Sequence, residues 1–291
     1  MTDLPTPSDR MIGRPTPSGR PVRKDEIELA ERGLYVESWL PERRSRRKPL
    51  LFVHGALGGS WVWERYLHHF AARGWEGHAL NLRNHYWSQT ADPATLTIET
   101  YTEDVIAALE RLGPTAVAIG HGLGGLLVLK AVERAPVSAY VLVAPEAPRE
   151  IREPARPHVV REVPDAWGRA ELGWETLPEK LIREQRDLSV ADVVRIQHLL
   201  GQKAFESGPA RRQVLSGVPV DRSSLPDVPR LVIGAGLDTI VSEPDAERLA
   251  EWLDAPYEPF GAHSHYGLVM GENSFQQVAD GIRTFLDANR L

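Results

Sequence analysis

Cysteine is absent from the 291 residues, which excludes disulfides, thiolate catalysis and cysteine-ligated zinc. Long apolar runs are absent too. None approaches the ~20 residues that span a bilayer, and none follows the N-terminal arginines as a secretory leader would. There is no excess of positive charge. Lys and Arg number 34 against 40 Asp and Glu, a formal net charge of −6, which argues against a general nucleic-acid binder. No metal-ligand spacing, phosphate-cradling lysine motif or dinucleotide fingerprint occurs, so no metal and no cofactor are expected. What is present is ordinary for a globular protein: 42% hydrophobic and 25% charged residues, in a length that suits one domain with an insertion. The expectation is a cytoplasmic protein that contacts neither nucleic acid nor membrane.

Residues 1–24 contain the near-repeats Pro5-Thr6-Pro7-Ser8-Asp9-Arg10 and Pro15-Thr16-Pro17-Ser18-Gly19-Arg20. With so little to bury, they read as a disordered tail. Glu26 to Ala30 and Leu34 to Leu40 read as strands joined at Glu31-Arg32-Gly33, a hairpin signal. The basic run from Glu42 to Lys48 reads as a solvated loop. From Leu50 onward, strand-like runs (Leu50 to Val53, Gly77 to Leu82, Thr115 to Ile119, Ala139 to Val143) alternate with helical spacing (Trp61 to Ala72, Ile98 to Leu112, Leu123 to Arg134). This alternation predicts an α/β protein, a mostly parallel central sheet with helices on both faces. It breaks over 148–229, where charges and prolines dominate and the clearest element is a helix from Val190 to Lys203, opened by Ser189 and Asp192 as a capping pair. It resumes with strands at Arg230 to Ile233 and Tyr257 to Phe260 and helices at Asp245 to Leu253 and Phe275 to Leu286. The division is therefore a core of 25–147 and 230–291 carrying an inserted helical lid at 148–229.

One position stands out chemically. In Ala116-Val117-Ala118-Ile119-Gly120-His121-Gly122-Leu123-Gly124-Gly125-Leu126, a β-branched run enters a cluster of glycines and an apolar helical run leaves it. That is the setting of a G-x-S-x-G nucleophile elbow, with glycine in place of the serine. Two further motifs accompany it. His54-Gly55-Ala56-Leu57-Gly58-Gly59 follows the Leu50 to Val53 strand, and Asp238 and Gly261-Ala262-His263-Ser264-His265-Tyr266-Gly267 come late in the chain.

Together, in this order, these motifs resemble the α/β-hydrolase superfamily over Glu26 to the C-terminus. The resemblance implies the fold with its lid, and it assigns expected roles. Asp238 is the acid that orients an imidazole, with Glu146 as the alternate. His265 is the histidine, with His263 as the alternate. The backbone N–H groups of Ala56 and Leu123 form the oxyanion hole, which needs no side chain and so survives the loss of serine. His54, His121, Trp61, Trp63 and Trp87 are pocket candidates, alongside Tyr86, Trp167 and Trp174.

Gly122 removes the covalent route, because acyl transfer through the enzyme needs a hydroxyl, thiol or carboxylate at the elbow. No Ser, Thr, Asp or Glu lies between Ala116 and Leu129 to replace it. Three readings stand. The first is an enzyme in which a His/Asp dyad acts as general base on a small carbonyl or ester compound, by elimination, isomerisation, cyclisation or water-mediated hydrolysis. The others are a serine esterase-like hydrolase disabled by glycine, and a non-catalytic small-molecule binder. In each the partner is a small molecule, and the protein a monomer or homodimer.

Overall fold

The computed structural model describes residues 22–152, 154–168, 170–174, 178–199 and 205–291. The strands are β1 (Val22–Leu29), β2 (Leu34–Pro41), β3 (Leu50–Val53), β4 (Gly77–Asn81), β5 (Val117–His121), β6 (Ala139–Val143), β7 (Ala166–Trp167), β8 (Glu206–Ser207), β9 (Arg230–Ala235) and β10 (Tyr257–Phe260). Eight of them form one sheet in the order β1-β2-β4-β3-β5-β6-β9-β10, while β7 and β8 pair separately. The two pairings that involve β2 are antiparallel, and the other pairings in the sheet are parallel. The helices are α1 (Glu64–Ala71), α2 (Ile98–Leu112), α3 (Leu123–Val132), α4 (Pro157–Glu162), α5 (Pro178–Glu184), α6 (Val190–Leu199), α7 (Gly208–Ser216), α8 (Glu243–Leu253), α9 (Gly267–Met270) and α10 (Phe275–Ala288).

Side chains on successive strand residues go to opposite faces, and here both faces are buried. Leu51, Val53, Ala118, Tyr140 and Leu142 join one core with α2, α3 and α8. Leu50, Phe52, Val117, Ile119, Val141 and Val143 join the other, with α1 and α10. Burial on both sides explains why these strands read as unbroken apolar runs rather than alternating ones. The mixed sheet with flanking helices is the α/β-hydrolase architecture, and α4 to α7 with the β7–β8 ribbon form the insertion between β6 and β9.

One boundary differs from the expectation. The tail assigned to 1–24 ends earlier, because Val22 already pairs with Pro41 and β1 stays in register to Leu29↔Leu34. As an edge strand, β1 needs only backbone partners, and Ile27 and Leu29 alone pack on the core, so its polar sequence concealed it. Residues 1–21 lie outside the described residues. The helix expected over Val190 to Lys203 spans Val190–Leu199, and 200–204 lie outside the described residues. Its start is capped as expected, with Ser189 Oγ accepting from the Asp192 N–H at 3.1 Å and Asp192 Oδ2 accepting from the Ser189 N–H at 3.3 Å. Among the described residues, no helix is long and apolar enough to cross a membrane.

The sheet meets α3 more closely than side chains allow. A Cβ at Gly124 would lie 2.4 Å from the Val53 carbonyl oxygen, and one at Gly120 would lie 2.3 Å from that of Gly124. Both clashes are with backbone, which cannot swing aside. Gly124→Ala is therefore expected to lower unfolding stability by about 1–3 kcal/mol or more, the usual cost of overpacking. A urea midpoint equal to that of the native protein would show that α3 can move away from β3 freely.

Candidate active site

β5 runs through His121 straight into a reversal at Gly122, with φ 55° and ψ −120°, and α3 starts at the next residue. This is the backbone of a nucleophile elbow, a strained turn in enzymes that carry a side chain there. Glycine adopts it without a steric penalty. The Gly122 N–H donates to the Val143 carbonyl at 3.0 Å, and its own carbonyl accepts from Gly125 and Glu146 at 3.0 and 2.9 Å. The turn is thus tied to β6 and to the start of the insertion. The Leu123 and Ala56 N–H groups donate to no partner among the described residues. Both residues line one small recess, together with Glu146, Trp167, Glu206 and Arg211.

The His265 ring stands directly over the elbow. Its Nδ1–H donates to Asp238 Oδ2 at 2.7 Å, while the backbone N–H groups of Ile240 and Val241 donate to Asp238 Oδ1 at 2.7 and 2.9 Å. Two backbone donors fix one carboxylate oxygen, which leaves the other to accept from the imidazole. On the far side of the ring, Nε2 lies 3.0 Å from where a Cβ on Gly122 would sit, and Cε1 lies 3.2 Å away. The imidazole thus leans into part of the space that a serine would occupy. A serine would require the ring to yield by a few tenths of an ångström.

The insertion holds the residues on either side of His265. The Gln185 side-chain oxygen accepts from the Tyr266 N–H at 2.9 Å, and Asp187 accepts from the Ser264 N–H at 3.1 Å and from its hydroxyl. Tyr266 in turn donates its hydroxyl to the Ala56 carbonyl at 3.2 Å. The His265 loop, the Ala56 loop and the insertion are therefore one hydrogen-bonded assembly.

Three more histidines surround it, and their partners separate them by charge. The His121 ring stacks on His265 with centroids 4.2 Å apart, and its Nε2–H donates to the His265 carbonyl at 3.1 Å. Full burial, then the neighbouring His265, pushes its pKa well down. His54 donates Nδ1–H to the Gly55 carbonyl at 2.8 Å and accepts from the Leu82 N–H at 3.2 Å. Burial, with His85 adding to it, lowers the His54 pKa to about 3. Both rings are neutral. His85 has acceptors on both sides, the Arg83 carbonyl at 2.9 Å and Glu206 Oε1 at 2.7 Å. Burial opposes its charge, but Glu206 outweighs burial and leaves its pKa raised. Among the described residues, no group of three or more His, Cys, Asp or Glu could hold a metal ion.

Other expected site residues are engaged differently. Glu146, the alternate acid, is not available to an imidazole, because Arg152 and Arg211 take its two oxygens at 2.6 and 2.7 Å. His263, the alternate histidine, has no hydrogen-bond partner for either ring nitrogen among the described residues and packs against Phe260. Its backbone carbonyl accepts from the Leu237 N–H at 2.9 Å, next to Asp238. Trp61 and Trp63 are core residues rather than pocket walls, with Trp63 packed on Phe52 and edge-on to His121. Trp87 packs beside Tyr86 and lines neither the recess nor the larger surface hollow described below. Glu206, His85, Gln185 and Asp187 also belong to this assembly and carry no signal in the sequence. They come from the insertion and a strand-end loop, where no motif marks them and only the folded chain brings them to the site.

The chain belongs to the alpha/beta hydrolase family, whose profile matches residues 50–280. It is 35% identical over 113 residues to Esterase PIR7B of Oryza sativa subsp. japonica, a match that covers 36% of this chain and 41% of that relative. The matched segment thus spans less than half of the curated relative. In structure the chain is similar to a thermophilic esterase from Thermogutta terrifontis, with a TM-score of 0.69 at 17% identity over 92% of this chain and 100% of that one. It is also similar to a hydrolase from Pseudomonas aeruginosa PA01, with a TM-score of 0.66 at 21% identity over 90% and 98% of the two chains. At these identities the structural likeness is one of fold.

His54 provides a pH test. Its folded pKa lies below the unfolded value of about 6.5, so the stability it contributes is present above that value. It is lost as the pH falls toward about 3, because the unfolded chain binds the proton first. Ring resonances of His54 should show the neutral form down to about pH 4, and His54→Gln should flatten the decline in urea midpoint below pH 6.5. A His54 resonance that titrates near pH 6.5 would contradict the assignment.

Proposed function

We propose that this protein is an α/β-hydrolase-fold enzyme that works without a covalent serine nucleophile. The His265–Asp238 pair is its general base, and the Ala56 and Leu123 N–H groups receive the oxyanion. The observation that carries this reading is the pair itself. A buried carboxylate fixes one imidazole nitrogen at 2.7 Å, and the other nitrogen faces an elbow that has no nucleophile to activate. A carboxylate in this position selects the tautomer that leaves Nε2 free to accept a proton, and it stabilises the imidazolium that forms.

The substrate is a small carbonyl or ester compound. In water-mediated hydrolysis, Nε2 takes a proton from water as the oxygen attacks the carbonyl carbon. The negative charge moves to the carbonyl oxygen, and collapse expels the leaving oxygen, which takes the proton back from Nε2. Proton removal beside a carbonyl, which begins elimination, isomerisation or cyclisation, uses the same base and the same two donors. Each such donor is worth about 3 kcal/mol to an oxyanion, and a positioned base about 10²–10⁴ in rate. The name of the rice relative supports an ester as the substrate class.

Access runs through the insertion. The inner recess has about 10 Å³ of free space, room for about one water molecule. A surface hollow of about 230 Å³ lies outside it, and Trp167 and Arg211 line both. A substrate in the hollow reaches the recess lined by Ala56 and Leu123 by displacing these two side chains.

The test is hydrolysis of p-nitrophenyl acetate by the native protein and two variants. His265→Ala should reduce kcat/KM by about 10²–10⁴, and Asp238→Asn should also reduce it strongly by releasing the wrong tautomer. The native protein should take up no serine-directed phosphonate by intact mass, whereas Gly122→Ser gains stoichiometric labelling. Turnover that survives both dyad substitutions, or labelling of the native chain, defeats the proposal. Binding without turnover would identify a non-catalytic small-molecule binder.

A further inference from the structure

The oxyanion loop is a tight turn, closed by the Gly58 N–H donating to the Gly55 carbonyl at 3.2 Å. Its third residue, Leu57, has a φ of +59°. Turns that require a left-handed third residue take Gly or Asn there, and a leucine is held in that conformation only by contacts from outside the turn. The peptide joining Ala56 to Leu57 is pinned at both of its polar ends. The Tyr266 hydroxyl donates to the Ala56 carbonyl at 3.2 Å, and the Leu57 N–H donates to Glu206 Oε1 at 2.5 Å.

Glu206 is well placed to hold that grip. Its backbone pairs with Trp167 in the β7–β8 ribbon, and on either side of it the Phe205 carbonyl accepts from Asn84 Nδ2 at 3.0 Å and the Ser207 hydroxyl donates to the Leu96 carbonyl at 2.5 Å. The same Oε1 also accepts from His85 Nε2 at 2.7 Å. The carboxylate is buried but paired, so it brings little uncompensated negative charge to the recess where an oxyanion would form.

We infer that Glu206 is a positioning residue that couples docking of the insertion to the geometry of the Ala56 oxyanion donor. The Gly58 N–H holds the Gly55 carbonyl, which shares a peptide plane with the Ala56 N–H, so fixing the Ala56–Leu57 plane as well holds both planes of the turn and with them the direction of the Ala56 N–H. When the insertion moves away, the Leu57 N–H loses its acceptor and the turn relaxes. The inference rests on Ala56 being an oxyanion donor, as proposed above. It makes the donor available only when the site is covered.

The experiment compares the native protein with Glu206→Ala and Glu206→Gln by amide hydrogen exchange, read residue by residue by NMR, together with p-nitrophenyl acetate kinetics. In Glu206→Ala, exchange at Leu57 should quicken about ten- to a hundredfold, the range for a lost hydrogen bond to a charged group, while amides of β5 and α3 keep their native rates. In the same protein kcat should fall with KM little changed. Glu206→Gln keeps an oxygen that can accept from Leu57 and should restore both Leu57 protection and kcat to within a few-fold of native. Unchanged Leu57 exchange in Glu206→Ala overturns the inference, as does a loss of kcat with Leu57 still protected. If the native protein fails to hydrolyse the ester while the exchange pattern holds, the coupling of insertion and loop stands and the esterase reading falls.

Discussion

The close approach of α3 to the strands beside it governs the rest of the molecule. At Gly120 and Gly124 backbone meets backbone with no room for a Cβ, and this contact forces the chain to reverse sharply at Gly122. The reversal brings Leu123, at the start of α3, to the wall of the same recess that Ala56 lines. Without this contact α3 would stand away from β3, and Leu123 would not share a recess with Ala56. The elbow is thus a consequence of packing, and it persists although no nucleophile stands on it.

Around the elbow, buried charge is consistently matched. Asp238 meets His265, Glu206 meets His85, and Glu146 meets two arginines. The histidines without an acidic partner, His54 and His121, have depressed pKa values from burial. An unpaired buried charge costs several kcal/mol, so each ionised group has had to find a partner or lose its charge. The pattern sorts four neighbouring imidazoles by role. Two have their pKa depressed by burial, one is raised by the Glu206 carboxylate that ties it to the insertion, and one is held by a carboxylate with its second nitrogen facing the elbow.

The insertion does more than cover the recess. Gln185 and Asp187 hold the backbone on both sides of His265, Glu206 holds the turn at Leu57, and Asp192 accepts from the Glu272 N–H at 3.1 Å while pairing with Arg65 at 2.9 Å. These contacts reach three separate loops of the core. Such a lid contributes to the geometry beneath it, so cover and preorganisation come together.

Much of this was legible in the sequence because it depends on local pattern. The apolar runs of β3, β5 and β6 follow from burial on both faces, and the glycines at 120, 122 and 124 announce a turn and a close approach wherever the chain goes. The separation of Asp238 and His265 along the chain agrees with the family order, and the capping pair at Ser189 and Asp192 is a short-range hydrogen bond that needs no tertiary contact. The start of β1 is not legible, because an edge strand is held by backbone pairing, which leaves no apolar signature. The pairing of Asp238 with His265 rather than His263, the diversion of Glu146 to two arginines, and the burial of Trp61 and Trp63 in the core depend on which side chains meet in space. The same is true of Glu206. Its partners, His85 and Leu57, lie 121 and 149 residues away in the chain, and no local pattern encodes a contact at that distance. The sequence by itself determined the elements and the turn at Gly122, since propensity, burial period and glycine sterics act over a few residues. Only the tertiary structure decided which charges pair and which N–H groups stay free, because those depend on distances that exist once the sheet, the loops and the insertion have come together.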